Sequence, residues 1–362
     1  MSFMSKLALV FALLGALDRI LGNHFGLGKE FEKGFMLLGS ISLSMLGMIV
    51  LAPVLADLLQ PVFGFGYHTL NLDPSIIPAS LFANDMGGTS LSLEVYQDAA
   101  MGKFNALVVS SMMGATISFN IPYAMAVVKP ERYRHMLFGF LCGIVTIPLG
   151  CFVSGLVYRL PMGALLLNLL PLMLLSALVA AGLLLLPDLS VKIFNIFGIL
   201  IKIFITVGLA LGILRFMTGI ELIKGMSTLE EGARICLNTA VVLAGMFPFM
   251  FVVSKLLSKP LRAVGKKLAV SETSVMGLLS TIVSNATTFE MLNSMDTKGI
   301  VLNSAFAISA AFSLGSHLAF TLALDPSYLV PVLVGKLTAG FAGLILAIVL
   351  YKRVYKNKEE TL

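Results

Sequence analysis

Residues 83–90 read Ala83-Asn84-Asp85-Met86-Gly87-Gly88-Thr89-Ser90, an acidic, glycine-rich break inside apolar sequence, with Glu94 just beyond it. A second break, Ser284-Asn285-Ala286-Thr287-Thr288-Phe289-Glu290, interrupts the other half of the chain. Backbone that is not helical survives at membrane depth only where protein or a water-filled cavity satisfies its polar groups. Paired interruptions in corresponding places of two halves point to the binding site of a carrier.

The rest of the chain supports a membrane setting. Of its 362 residues 58% are hydrophobic and 12% charged, and the mean hydropathy is +0.96. Soluble domains run near 25% charged. Apolar segments near 7–22, 34–58, 104–128, 136–158, 164–186, 193–217, 235–254, 300–323 and 331–351 are mostly long enough to span a bilayer as helix. Two more, 73–99 and 272–296, are apolar but broken. Residues 7–17 resemble a signal peptide, but Asp18-Arg19 follows where a small-residue cleavage site belongs, so the segment reads as the first span. Asp18 and Arg19 read as a local pair at its end. Residues 255–271 read as a short basic connection. Cys142, Cys151 and Cys236 lie in apolar segments without ligand spacing and read as reduced core residues. The net charge of +6 sits in short loops and carries orientation information, so no nucleic-acid partner is expected.

Sliding the chain on itself by about 197 residues aligns Gly15 with Gly212, Gly22 with Gly219 and Gly143 with Gly340. Val157-Tyr158 meets Val354-Tyr355 at the same shift, and with small drift Gly34 meets Gly232, Gly47 meets Gly245 and Glu94 meets Glu290. The reading is a first repeat over 1–160 with hairpin 73–99, a linking helix over 161–190, and a second repeat over 191–362 with hairpin 272–296. Charge then chooses between hairpins and single crossings. With hairpins, Lys6, Lys103, Arg159, Arg215, Lys224 and Arg234 fall on one side, Arg19, Lys202 and Lys336 lie within spans, and the other sixteen of the 25 basic residues fall opposite. With single crossings the split is nearly even. Because cytoplasmic loops carry the Lys and Arg excess, the expected fold is an all-α polytopic membrane protein. It has two inverted repeats, nine transmembrane helices and two re-entrant hairpins, with the N-terminus outside and the C-terminus cytoplasmic. Arms of about 11 apolar residues at roughly 1.5 Å each reach about 16 Å, near the midplane of a core roughly 30 Å thick.

Candidate binding residues follow from depth and chemistry. Asp85 lies at the first tip, where a carboxylate is costly unless it serves a function or caps the following arm. Asn84 and Thr89 flank it, and Gly87-Gly88 permit a tight reversal and close backbone approach. Glu94 and Glu290, related by the repeat, suit a cationic substrate or a coupling proton, or are solvated at the surface. Asn285, Thr287 and Thr288 offer uncharged partners at the second tip, or a capped turn. Pro122 breaks the span that holds Ser118, Asn120 and Tyr123. Its counterpart, Ser313-Leu314-Gly315-Ser316-His317, sets His317 opposite Asn120, as a substrate or proton group or a plain interhelical partner. Phe119 and Tyr123 suit a cation or simple packing. Lys202 and Lys336 are expected to snorkel or to pair with a carboxylate. His24, His68 and His135 lie in loops, and no function is read there. The enzyme motifs His-Glu-x-x-His and Gly-x-Ser-x-Gly, a Walker A loop and an aspartate-rich prenyl-diphosphate motif are all lacking. The expectation is no enzyme, no metal and no cofactor.

Asn84-Asp85-Met86-Gly87-Gly88, in an all-membrane chain of this length, resembles the ethanolamine-utilisation permease family of bacteria, and the likeness covers essentially the whole chain. The resemblance implies an inner-membrane permease that imports ethanolamine, a small cationic amine with one hydroxyl. Asp85, Glu94, Glu290, Asn285 and Thr288 match the partners such a molecule needs. The expected mechanism is alternating access, possibly elevator-like, hairpins moving against a scaffold at which two copies form a homodimer. The alternatives are a sodium- or proton-coupled symporter of another small polar metabolite and an intramembrane enzyme.

Overall fold

The computed structural model describes the backbone of residues 3–70 and 72–359, and the side chains of these except 3–4, 59–70, 254, 257–267 and 354–359. Of the readings above, Val354-Tyr355, His68 and, among the sixteen basic residues assigned to one side, Lys259, Arg262, Lys266, Lys267, Lys356 and Lys358 lie outside the described side chains.

All regular structure among the described residues is helical. Helices α1 (Phe3–Ile20) and α2 (Leu27–Leu70) precede the short α3 (Ile76–Leu81) and α4 (Gly88–Val95). Then come α5 (Ala99–Val127), α6 (Tyr133–Ile144), α7 (Ile147–Val157), α8 (Met162–Leu185) and α9 (Pro187–Thr218). The second half continues with α10 (Leu229–Leu268), α11 (Glu272–Val283), α12 (Asn285–Met291), α13 (Thr297–Ala310), α14 (Ser316–Leu324) and α15 (Leu329–Glu359).

Seven stretches are long and apolar enough to cross a membrane: Leu27–Leu58, Ala99–Val127, Pro130–Val157, Met162–Leu185, Pro187–Thr218, Leu229–Val253 and Pro326–Arg353. The chain is a multi-pass membrane protein. Two of the nine expected spans are not among the seven. One is α1; the other is residues 297–324, which the turn at 311–315 divides into α13 and α14. The expected basic connection at 255–271 is mostly helix, because α10 runs on to Leu268.

The helices pack as two groups. Helices α1, α2, α9 and α10 lie against one another, and α5, α6, α7, α13 and α15 form the other group with the short helices. The second group holds the largest buried cluster, including Phe104, Met112, Phe140, Phe289 and Tyr328. Outward faces of α8 and α9 are apolar, with Leu170, Leu174, Leu178, Ile193, Ile199 and Ile203 exposed. Cys142, Cys151 and Cys236 are buried and free.

Both broken segments fold back on themselves, and a carboxylate ties each one shut. Asp73 accepts from Ser75 N (3.0 Å) and Oγ (2.5 Å) at the start of the first, and from Gln97 N (3.0 Å) and Asp98 N (2.8 Å) at its end. Asp296 accepts from Ser271 N (2.9 Å), Ser274 Oγ (2.7 Å) and Gly299 N (3.0 Å) around the second. The arms are uneven: α3 has 6 residues, α4 has 8, α11 has 12 and α12 has 7. Asp18 serves the α1–α2 turn in the same way, accepting from Phe25 N and Gly28 N, both at 2.9 Å. It does not pair with Arg19, which reaches Glu32 at 3.1 Å.

Burial would raise the Asp296 carboxyl, but bonds from Ser274, Ser271 and Gly299 outweigh it and hold the group below its ordinary value. A depressed carboxylate contributes stability above its unfolded value of 3.8 and loses that contribution as pH falls through the folded value. Asp296→Asn should therefore lower the unfolding temperature in detergent at pH 7. The gap to wild type should narrow as the pH falls below 3.8 and close once it has passed the folded value; a gap that acid leaves unchanged would remove the charge from the account.

Candidate functional site

The first tip is a single 3₁₀ turn, Asn84–Met86, ended by Gly87 in the left-handed region at φ +98°. Gly88 N donates to Ala83 O at 2.8 Å, which closes the turn. A Cβ on Gly87 would collide with the Met48 side chain of α2. Gly87→Ala should thus carry both a left-handed cost of roughly 1–2 kcal/mol and this clash. The thermal midpoint should fall, and Met48→Ala should restore part of it; full restoration would show that backbone strain contributes nothing.

Four residues gather at this tip from distant parts of the sequence. Ser316 Oγ, at the start of α14, donates to Asp85 Oδ2 at 3.3 Å. His317 Nε2 lies 3.7 Å from Asp85 Oδ1. On the far side of that ring, Nδ1 is 3.3 Å from Lys336 Nζ of α15. Lys336 also donates to the carbonyl of Ser111. Lys336 is fully buried and so does not snorkel, nor does it touch a carboxylate directly; His317 stands between it and Asp85. The Asp85 side chain is 23% exposed and His317 only 2%. With one long hydrogen bond on Oδ2, the carboxylate keeps lone pairs free for a further donor. Beside it, Asn84 is fully buried and neither amide atom has a protein partner. Such a group calls for an explanation such as a water, an ion or a ligand.

The second tip meets the opposite half of the chain. Asn285 Nδ2 donates to Asn120 Oδ1 at 2.6 Å, and Asn120 Nδ2 donates to Ile308 O at 3.1 Å. Asn285 Oδ1 has no partner. Thr288 Oγ1 donates to Gly277 O (3.0 Å) and accepts from Thr281 (3.0 Å), so it holds the two arms together. Thr89 of the first hairpin instead fastens α4 to α5, donating to Ala106 O at 2.6 Å. Thr287 is exposed. Glu290 is exposed and accepts from Tyr123 Oη at 2.9 Å. Glu94 is exposed two turns along α4, within electrostatic reach of Asp57 and Glu231 rather than of the tip. The structure does not bring the two glutamates to the tips.

Both tips are fastened to one stretch of α5. Ala83 N donates to Ser118 Oγ at 2.9 Å, two residues from Asn120. That stretch is not broken at Pro122 as its sequence suggests. Residues Asn105–Gly114 and Thr116–Asn120 form wide π-helical turns, and Pro122 falls where the α-helix resumes. Wide turns of this kind are frequent at functional sites. The break in the other half is real. Phe312 N donates to Thr281 O (3.1 Å) and Leu314 N to Ile282 O (2.9 Å), so the last carbonyls of α11 satisfy the backbone of the break. Phe312 itself sits at φ +55°, a conformation rare for a bulky side chain. Its ring lies 4.8 Å from His317 and 5.9 Å from Phe119, which stacks on Tyr123 at 5.2 Å. A run of rings therefore extends from His317, beside the acidic tip, to Phe119 and Tyr123 on either side of Asn120 in the chain. An ammonium could bind the free lone pairs of Asp85 with an aromatic face beside it, and a hydroxyl could bind the amides.

The sequence profile described as "Ethanolamine utilisation protein, EutH" matches residues 2–350. The chain belongs to the EutH family. It is 41% identical over 358 residues to the "Probable ethanolamine permease EutH" of Listeria monocytogenes, covering 98% of this chain and 96% of that one. The protein of the same name from Salmonella typhimurium is 36% identical over 378 residues, covering 94% and 93%. The "Uncharacterized protein YxeR" of Bacillus subtilis is 38% identical over 330 residues, covering 91% and 89%. No solved structure matches the chain.

Lys336 and Ser316 complete the acidic tip, and neither stands among the binding residues expected from the sequence. Ser316 stood beside His317 in a break already marked. The signal for Lys336 was its charge inside an apolar span, which is rare without a function.

Proposed function

We propose that this EutH-family chain is a carrier that imports ethanolamine across the bacterial cytoplasmic membrane by alternating access. The observation that carries the reading is the under-coordinated Asp85 carboxylate, set among Ser316, His317 and the unpaired Asn84 amide. The names of the relatives supply the substrate. Asp85 takes the ammonium, and the amides of Asn84, Asn120 or Asn285 take the hydroxyl.

Several contacts support two inverted repeats. The tip of each hairpin bonds the helix that follows the other hairpin: Asp85 with Ser316, Asn285 with Asn120. Gly47 brings α2 against α9, while its aligned partner Gly245 brings α10 against α1. Re-entrant hairpins, and with them nine crossings, are favoured by Lys103 and Asp325, which meet at 2.9 Å. Hairpins put these two residues on one side of the membrane; single crossings would put them on opposite sides. The charge excess then sets the N-terminus outside and the C-terminus in the cytoplasm. Helices α1, α2, α9 and α10 form the scaffold, and the exposed apolar face of α9 is where a second copy would join.

The test is counterflow of labelled ethanolamine in proteoliposomes at pH 6. Saturable counterflow is expected. Its absence with well-folded protein would remove ethanolamine and direct a sodium-dependent screen of other small polar metabolites.

A further inference from the structure

Lys336 is a buried lysine with no carboxylate within ion-pair reach among the described residues. The groups that face it are few. The first tip presents Asp85, α14 presents His317, α7 presents the Cys151 thiol, and α5 presents the Ser111 carbonyl. With both groups charged, Lys336 balances Asp85, one positive against one negative charge, with the imidazole between them. If ethanolammonium joined this set, one positive charge would be left over in a region where an unbalanced ion is strongly disfavoured. The geometry offers a way out. A lysine that donates to Nδ1 places the imidazole proton on Nε2, the nitrogen facing Asp85. Asp85 is also the most open of the three side chains, so a proton handed along the line arrives where water can take it.

Resting on the transport reading above, we propose that Lys336 is the resident cation of the empty carrier and that it gives up one proton through His317 when a substrate ammonium binds Asp85. The Lys336 Nζ–H bond breaks, its electron pair staying on the amine, and Nδ1–H forms. The Nε2–H bond breaks and that proton passes to water at the Asp85 opening. When the substrate leaves, Lys336 is protonated again. One ammonium thus exchanges for one proton, the cycle is electroneutral, and the net cargo is the uncharged amine. The ammonium and the lysine alternate as counterion to one carboxylate.

Calorimetry of ethanolamine binding to the detergent-solubilised protein at pH 7, in buffers of differing ionisation enthalpy, counts the protons released. Wild type should release about one per ethanolamine bound. Lys336→Met should bind and release none. Lys336→Arg, which holds its charge, should bind at least ten-fold more weakly and release none. In vesicles, an inside-negative potential should leave wild-type uptake unchanged and accelerate that of Lys336→Met, a difference that a packing defect would not produce. Binding by wild type without proton release overturns the proposal. Continued release from Lys336→Met overturns it as well, because the substrate itself would then be losing the proton. No binding at all overturns the transport reading instead.

Discussion

Asp85→Asn should abolish ethanolamine counterflow while the protein stays folded. The substitution preserves shape and leaves an oxygen to accept from Ser316, so the 3₁₀ turn and Gly87 have no reason to rearrange. What disappears is the negative charge. A hydrogen bond to a charged partner contributes about 1.5–3 kcal/mol, and an ammonium buried without a counterion costs more. Since each 1.4 kcal/mol is about ten-fold, affinity should drop roughly a hundred-fold or more and flux should fall to background. Ser316→Ala removes one long neutral donor and should cost about ten-fold at most. Glu94→Gln, at an exposed position away from the tip, should change flux less than about three-fold. Those three variants assayed together decide the site. Counterflow intact in Asp85→Asn and lost in Glu94→Gln would move the site along α4.

That test is possible because the acidic tip was legible in the sequence. A carboxylate followed by two glycines inside apolar sequence is hard to explain as packing, and Asp85 does sit at a turn that only Gly87 can close. His317 was legible for a similar reason, as the polar residue after a glycine break. The partnership between them was not legible, because 231 residues separate Asp85 from Ser316 and no local pattern encodes that contact. Lys336 shows the limit most clearly. From the chain alone its charge is directed to the membrane surface or to a carboxylate; only the packing of α15 against α5 and α14 reveals that it has nowhere to snorkel and that His317 stands between it and Asp85. The π-helical turns of α5 also escaped, since Asn105–Gly114 has the composition of any apolar helix. Asp73 and Asp296 look like ordinary loop charges until the ends of each hairpin are brought together around them. Glu94 and Glu290 were the opposite case: an alignment of the repeats drew attention to them, but side-chain exposure sets both away from the tips.

Tethering the first tip to the scaffold should stop transport completely and reversibly. Met48 of α2 and Met86 of the tip pack in one cluster with Phe82 and Ile205, at a seam between the two helix groups. Alternating access by movement of the hairpins requires this seam to slide, whereas a carrier that opens only at its surface loops does not. Met48→Cys combined with Met86→Cys, oxidised in proteoliposomes, should lose counterflow and regain it on reduction. The control is Lys103→Cys with Asp325→Cys, which replaces a 2.9 Å bridge inside the hairpin-bearing group. Under that mechanism its cross-link joins parts that move together, so counterflow should survive. Each singly substituted protein, oxidised in the same way, reports the effect of the substitution alone. If the Met48–Met86 cross-link forms in full and flux persists, the seam is static and the hairpins do not carry the substrate across. If both cross-links stop flux, the division into two moving groups is wrong, and the hairpin-bearing helices must rearrange internally as the substrate passes.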